Sequence, residues 1–397
     1  MHTQKSIWCL LMMLLCLLSL TALAQQAQDI TAECIINASA NPKGIRKLLD
    51  RNAGTAWSSP KAQTVEIDLS LRDETPAGGL YIIWGEMPDV WTLEAAGEEW
   101  ETLHSDGRDG FAHVYMPLQG QNRLRLRMES NSKKTISIQE MYVFSQGETP
   151  PWVQKWEPTV EKADLLVLSA HPDDEHLFMG GTLPLYAGQK QMQVLVAYMT
   201  CASVNRRSEL LNGLWEVGVR NYPVIGAFKD KRYDTAKEMY RLWGKEKTQR
   251  FVVDLYRKYK PLVVISHDVR GEYGHGAHMV CAALSRYALE AAADPDQYPE
   301  SAQEYGLWDV PKLYLHLYKE NQITMDWRQP LEAFGGRTAL DMAVLGFAQH
   351  TSQQVYQLKV KDSGSYSCAE FGLVRSLVGP DVCRSDFFEN ITGKDFD

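Results

Sequence analysis

Two hydrophobic rhythms run through this chain, and one layer of secondary structure cannot satisfy both. Up to Phe144 the apolar residues come in short strand-like runs. Thr64 to Leu69, Leu80 to Trp84, Arg123 to Met128 and Ile136 to Phe144 are separated by clusters of Gly, Asp, Asn and Pro. Such spacing predicts an all-β sandwich of jelly-roll type. Ser145 to Pro158 then carries three prolines among polar residues and reads as a linker. Beyond it the period changes. A continuous apolar strand, Asp164 to Ser169, precedes an amphipathic stretch, a strand over Gln193 to Met199 and a helix around Arg207 to Val217. Further strands, Pro261 to Ser266 and Pro311 to Leu317, each adjoin helical segments. Strands alternating with helices predict an α/β domain, a Rossmann-like, mostly parallel sheet covered on both faces. The expected layout is a signal segment over 1–24, a sandwich over 29–146, a linker over 147–161 and the α/β domain over 162–397. The tail from Thr351 to Asp397 lacks strong periodicity and is placed as an extension packed on the second domain.

At 397 residues the chain is too long for one ordinary core, which agrees with that division. A net charge of -9 argues against a nucleic-acid partner, because contact with a phosphate backbone needs clustered Lys and Arg. Lys5, the apolar run from Ile7 to Leu20 and the small residues of Ala22-Leu23-Ala24 read as a cleavable secretory signal. The protein is therefore expected to be exported, periplasmic or secreted, with no integral membrane segment once the signal is removed. Of the 7 cysteines, Cys34, Cys201, Cys281, Cys368 and Cys383 follow that signal, and none forms a CxxC pair. Cys368 and Cys383 are near enough in sequence to bridge, or to stay reduced.

The chemistry concentrates after two strands. In a parallel α/β sheet, ligands gather outside the carboxyl ends of the strands. Directly after Ser169 comes Ala170-His171-Pro172-Asp173-Asp174-Glu175-His176, followed by Gly180 and Gly181, which allow close backbone approach. After Ser266 comes His267-Asp268, then Gly271-Glu272-Tyr273-Gly274-His275-Gly276-Ala277-His278, in which His275 and His278 share a face of an incipient helix. An HxxH spacing alone, or an acidic run alone, carries little weight. Two strand ends each delivering His and carboxylate groups form a set that suits zinc, whose catalytic sites use three protein ligands and keep one position for water.

The arrangement from Asp164 onward resembles the PIG-L and LmbE-like family of zinc-dependent N-acetylglucosaminyl deacetylases, on the run AHPDDE with its glycine pair and the downstream GHxxH. The resemblance implies that His171, Asp174 and His278 are metal ligands and that Asp173 is the general base. It implies that His275 steadies the tetrahedral intermediate by its charge. Arg207, in the Arg206-Arg207-Ser208-Glu209 run, is a substrate-contact candidate, and Glu209 reads as structural. The implied cofactor is Zn2+, with Fe2+ or another divalent ion left open. The implied reaction removes an acetyl group from an N-acetylated saccharide or glycoconjugate through metal-activated water. The family's second motif reads GHPDH, whereas here Gly276 and Ala277 take the Pro-Asp positions, so a carboxylate that would tune the neighbouring imidazole is missing. A hydrolase of another N-acyl compound and a non-catalytic carbohydrate-binding protein are the alternative readings. No protein partner is inferred.

From Ile30 to Phe144, the runs Leu49 to Trp57, Val65 to Leu69, Trp100 to Leu103, Arg123 to Leu126 and Ile138 to Phe144 resemble the discoidin, or factor 5/8 C-type, galactose-binding-like sandwich. That resemblance implies carbohydrate binding through loops at one end. Trp84 and Trp91 are exposed-loop candidates for stacking on a sugar, although aromatics at strand spacing are more often core. Cys201 is expected to be an inert thiol, His316 and His350 satisfied histidines, and His176 a hydrogen-bond partner of the ligands.

Overall fold

The computed structural model describes residues 25–61, 64–72, 76–108, 110–130 and 135–392. The apolar run read as an export signal lies outside the described residues. Among them no helix is long and apolar enough to cross a membrane. The chain divides into two compact units, one ending at Val153 and the other beginning at Gln154.

The first unit holds β1 (Cys34–Ala38), β2 (Trp57–Ser58), β3 (Thr64–Leu71), β4 (Ala77–Trp84), β5 (Val90–Ala96), β6 (Trp100–Gly107), β7 (His113–Pro117), β8 (Arg123–Glu129) and β9 (Ser137–Ser145). They form a five-stranded sheet in the order β1-β3-β8-β5-β6 and a four-stranded sheet in the order β2-β9-β4-β7. Every pairing in both sheets is antiparallel. Period-two sequences build them. Along β3 the odd-numbered Val65, Ile67, Leu69 and Leu71 are buried, while Glu66 and Asp68 stay on the outer face, where Arg125 of the neighbouring β8 sits 2.9 Å from Asp68. Trp57, Trp84 and Trp91 all lie in the core at 0% exposure. Trp84 and Trp91 therefore do not stand in loops as sugar-stacking platforms. Both are strand residues facing inward, with ring centroids 5.4 Å apart.

The second unit holds β10 (Leu165–Ser169), β11 (Val194–Thr200), β12 (Val224–Phe228), β13 (Val263–Ser266), β14 (Lys312–His316), β15 (Gln322–Thr324) and β16 (Glu370–Ser376) in one sheet ordered β12-β11-β10-β13-β14-β16-β15. The strands from β12 to β14 are parallel, and β16 and β15 close the edge antiparallel. β10 is buried at every position, as a strand covered on both faces must be. Chain order reverses between β10 and β13, so the crevice outside their carboxyl ends is the place where such a sheet admits a ligand.

Two details differ from expectation. Part of the stretch read as linker is packed: Trp156 and Val160 are buried, and the Trp156 ring meets Trp215 and Tyr222 edge-on at 5.5 Å. The tail contributes β16, which lies between β14 and β15. Its buried Phe371, Gly372 and Leu373 form a short continuous run, a pattern that periodicity cannot tell from a loop or a helix fragment.

Candidate metal centre

The turn leaving β10 is set by its own side chains. Ser169 Oγ donates to His171 O at 2.9 Å, and the His171 amide donates to Asp174 Oδ2 at 2.9 Å. Asp173 sits at φ +112°, a left-handed conformation that costs a non-glycine residue about 1–3 kcal/mol. It is clamped from both sides. The Asp173 amide donates to Glu175 Oε2 at 3.0 Å, and the Arg206 guanidinium donates to the carbonyl of Pro172. Asp173 O then accepts from the amides of His176 and Leu177, which starts the single-turn helix Asp174–Leu177. The glycine pair serves close packing of protein against protein. A Cβ on Gly180 would meet Cys368 Sγ at 2.4 Å, and one on Gly181 would meet the Trp327 ring at 2.6 Å.

The second strand end supplies the rest. His275 caps the helix Gly276–Ala291, its Nδ1 accepting from the Ala277 amide at 3.2 Å, and His278 lies in that helix's first turn. His171 Nδ1, Asp174 Oδ2 and His278 Nε2 form a triangle with sides of 3.2, 3.3 and 3.4 Å. Ligands bonded tetrahedrally at 2.0–2.1 Å stand about 3.3–3.4 Å apart, so these three atoms fit one zinc-sized cation without rearrangement. His267 also lies 3.5 Å from Asp174 Oδ2, but its Nε2 accepts from the Ala170 amide at 3.0 Å and is not free to ligate.

One buried carboxylate orders the imidazoles. Glu272 Oε2 accepts from His278 Nδ1 at 2.8 Å and from His267 Nδ1 at 3.0 Å, while Oε1 lies 2.5 Å from His316 Nδ1 and accepts from the Asp268 amide at 3.1 Å. His316 is also 2.9 Å from Ser367 O through its Nε2. With Nδ1 of His278 committed to Glu272, its Nε2 lone pair faces the triangle, which is the tautomer a metal requires. Burial alone raises the pKa of a carboxylic acid, yet Glu272 is held well below the usual carboxylate range because His267 and the hydrogen bonds from three imidazoles outweigh it. Asp174 is likewise held low against its burial by His278, His171 and His267. Asp173 goes the other way: burial and the neighbouring Asp174 charge push it well above the normal range, with Arg206 opposing at 3.5 Å. Burial, then His278 and His171, push His275 down to about 3. These surroundings favour a neutral His275 over the charged ring expected, and its Nδ1 accepts from the Ala277 amide at the helix start, which leaves Nε2 for the proton.

These groups line a cavity of about 560 Å3, within the usual range for small-molecule sites. Its wall includes His171, Asp173, Asp174, His275 and His278. Arg207, expected to contact substrate, is not on this wall, whereas Arg206 is. Successive helix positions point about 100° apart, so only one arginine of the pair can face the cavity. Glu209 serves structure, as expected. It accepts from Arg206 at 3.0 Å and from Thr351 Oγ1 and the Ser352 amide at 2.9 and 2.7 Å, tying the tail to the helix Val204–Glu216. That tail then brings Gln353, Tyr356 and Leu358 to the cavity rim. Cys201 is a free, partly exposed thiol, its Sγ 3.6 Å from Ser203 O, and Cys368 and Cys383 are also free. The His176 ring nitrogens make no hydrogen bond to the three ligands, and the residue belongs to a separate buried group with Glu175 and His350.

The fold and this donor set define a candidate metal site at the carboxyl ends of the central strands β10 and β13. Residues 166–289 match the family model described as PIG-L, GlcNAc-PI de-N-acetylase. A relative from Saccharopolyspora erythraea, 1D-myo-inositol 2-acetamido-2-deoxy-alpha-D-glucopyranoside deacetylase 2, is 30% identical over 179 residues, covering 38% of this chain and 63% of the relative. The chain thus spans somewhat less than two thirds of that protein's length. Among solved structures, the N,N'-diacetylchitobiose deacetylase from Pyrococcus horikoshii is similar over 55% of this chain and 87% of its own, with 15% identity and a TM-score of 0.41. The chitosan-binding module 1 derived from a chitosanase/glucanase of Paenibacillus sp. IK-5 is similar over 29% of this chain and 98% of its own, with 14% identity and a TM-score of 0.26.

Proposed function

We propose that this protein is a zinc-dependent hydrolase that removes the acetyl group from an N-acetylated amino sugar. The observation that carries the reading is the triangle of His171 Nδ1, Asp174 Oδ2 and His278 Nε2, whose sides match one cation with an open coordination position toward the cavity. Held by His171, Asp174 and His278, a cation would supply Lewis acidity, lowering the pKa of water and polarising an amide carbonyl. Two imidazoles and one carboxylate suit zinc, and Fe2+ can occupy the same donors.

The residues of this chain supply the rest. Asp173, clamped beside the triangle, takes the proton of the attacking water and returns it to the departing amine. A carboxylate whose proton affinity is raised by burial is a stronger base near neutral pH than an exposed one. His275 offers its Nε2–H as a neutral donor to the oxygen on which charge develops. Arg206 keeps the Pro172–Asp173 peptide in place, so that the base keeps its aim. The family description and the named activity of the S. erythraea relative support the sugar assignment. The same reading places the mature protein outside the cytoplasm, on the strength of the Ile7 to Leu20 run and Ala22-Leu23-Ala24.

The test is acetate release from a panel of N-acetylated mono- and oligosaccharides set against N-acyl amino acids and N-acyl amines. Release confined to the sugars supports the reading; release confined to the other amides, or from none, overturns the sugar assignment.

A further inference from the structure

Behind the Asp173–Asp174 turn lies a second histidine cluster that the reaction does not use. Glu175, His176 and His350 are each fully buried, at 0% exposure. Glu175 and His176 continue the turn after β10, whereas His350 follows the helix Ala339–Ala348 at the start of the tail. Glu175 Oε1 lies 3.3 Å from His176 Nε2 and 3.7 Å from His350 Nε2. One ligand atom from each of the three lies within 4.8 Å of the others.

These atoms are not satisfied by the protein. Glu175 Oε1, both ring nitrogens of His176 and His350 Nε2 have no well-formed hydrogen bond, and the buried Tyr198 hydroxyl beside Glu175 has none either. Buried polar groups are nearly always paired, and packing alone does not account for three imidazole nitrogens and a carboxylate oxygen left without good partners in one place. The space is kept by two glycines. A Cβ on Gly213 would come 2.8 Å from His176 Nε2 and 2.9 Å from His350 Nε2, and one on Gly346 would come 2.7 Å from His176 Nδ1.

We propose that Glu175, His176 and His350 bind a second divalent cation, zinc by its donor set, which fastens the Asp173–Asp174 turn to the tail segment that forms the cavity rim. Two imidazole nitrogens and one carboxylate oxygen are a zinc set, and the printed separations are near the edge of a zinc tetrahedron. Coordination satisfies three of the four orphaned atoms. It requires the proton of His350 on Nδ1, so the long 3.5 Å contact from Arg206 to that nitrogen gives way; Arg206 keeps Pro172 O and Glu209. The purpose is legible in the chain path. His350 runs directly into Thr351–Tyr356, whose Gln353 and Tyr356 line the cavity. A cation held here joins the element carrying the base to the element shaping substrate access.

The experiment is the zinc content of the full chain, saturated with zinc, freed of excess by gel filtration and measured by plasma mass spectrometry. The expected result is two zinc ions per chain, one lost in His176→Ala/His350→Ala and the other lost in His171→Ala/His278→Ala. One ion per chain in the unaltered protein, retained in His176→Ala/His350→Ala, overturns the second site, and that first number needs no variant to fold. The outcome separates from the deacetylase reading. Two ions without acetate release from any sugar uphold this site and sink that reading, while acetate release with a single ion lost in His171→Ala/His278→Ala does the reverse.

Discussion

Glu272 accepts the Nδ1 proton of His278 at 2.8 Å, and through that bond it turns the opposite nitrogen of the ring toward Asp174 and His171. The same carboxylate also holds His267 and His316, so one buried anion orders three imidazoles around the metal triangle. In Glu272→Gln an amide N–H replaces one of the acceptors. Zinc affinity at the triangle should fall about 10- to 100-fold, the usual cost of removing a group that orients a metal ligand. Competition with a chelator measures it, and an affinity equal to that of the unaltered protein would mean that Glu272 does not position His278.

Asp173 faces the cavity without belonging to the triangle. Asp173→Asn should keep the zinc bound at the triangle while lowering kcat by about 10²–10⁴-fold, the ordinary contribution of a general base. Retained turnover would remove Asp173 from that role, and lost zinc would make it a ligand.

Zinc affinity should depend on pH in a particular way. Burial, together with the nearby His267, lowers the pKa of His278 below 6.5, although Asp174 and Glu272 oppose the shift. Only the neutral ring can ligate, so a depressed value extends metal binding toward acid. Asp174, held low, remains a carboxylate throughout that range. Affinity measured across pH 5–8 should stay flat from pH 8 down to 6.5 and fall only below it. A decline already complete by pH 7 would contradict these shifts.

The two arginines should separate. Arg206 is on the cavity wall, bonded to Pro172 O and Glu209, whereas Arg207 is not. Arg206→Ala should lower kcat/KM by about 10²-fold or more, because a base displaced even by an ångström loses rate on that scale. Arg207→Ala should stay within a few-fold. Steady-state kinetics on the same sugar decides it, and the reverse order of effects would restore Arg207 as the substrate contact.

Sequence reasoning reached His171, Asp173, Asp174, His275 and His278 because each sits in a short run directly after an apolar strand, where topology dictates a site. Glu272 and His267 stood in the same runs, but nothing local says that Glu272 will turn inward to collect three rings. His350 could not be reached at all. It meets His176 across 174 residues of sequence, through packing of the helices Val204–Glu216 and Ala339–Ala348, and glycines at 213 and 346 give no local sign of the space they keep. Trp84 and Trp91 are the opposite case. Their strand spacing was visible and favoured a core position, and each does fall on the inward side of its strand rather than in a loop. Arg206 rather than Arg207 lines the cavity because adjacent helix residues differ only in facing, which depends on where the Ser203 cap starts the helix.

The most direct measurement is anomalous diffraction at the zinc edge from crystals of the zinc-loaded protein. The account predicts a peak about 2.0–2.1 Å from each of His171 Nδ1, Asp174 Oδ2 and His278 Nε2. A zinc-loaded protein that releases acetate from an N-acetylated sugar but shows no peak at that triangle would contradict it.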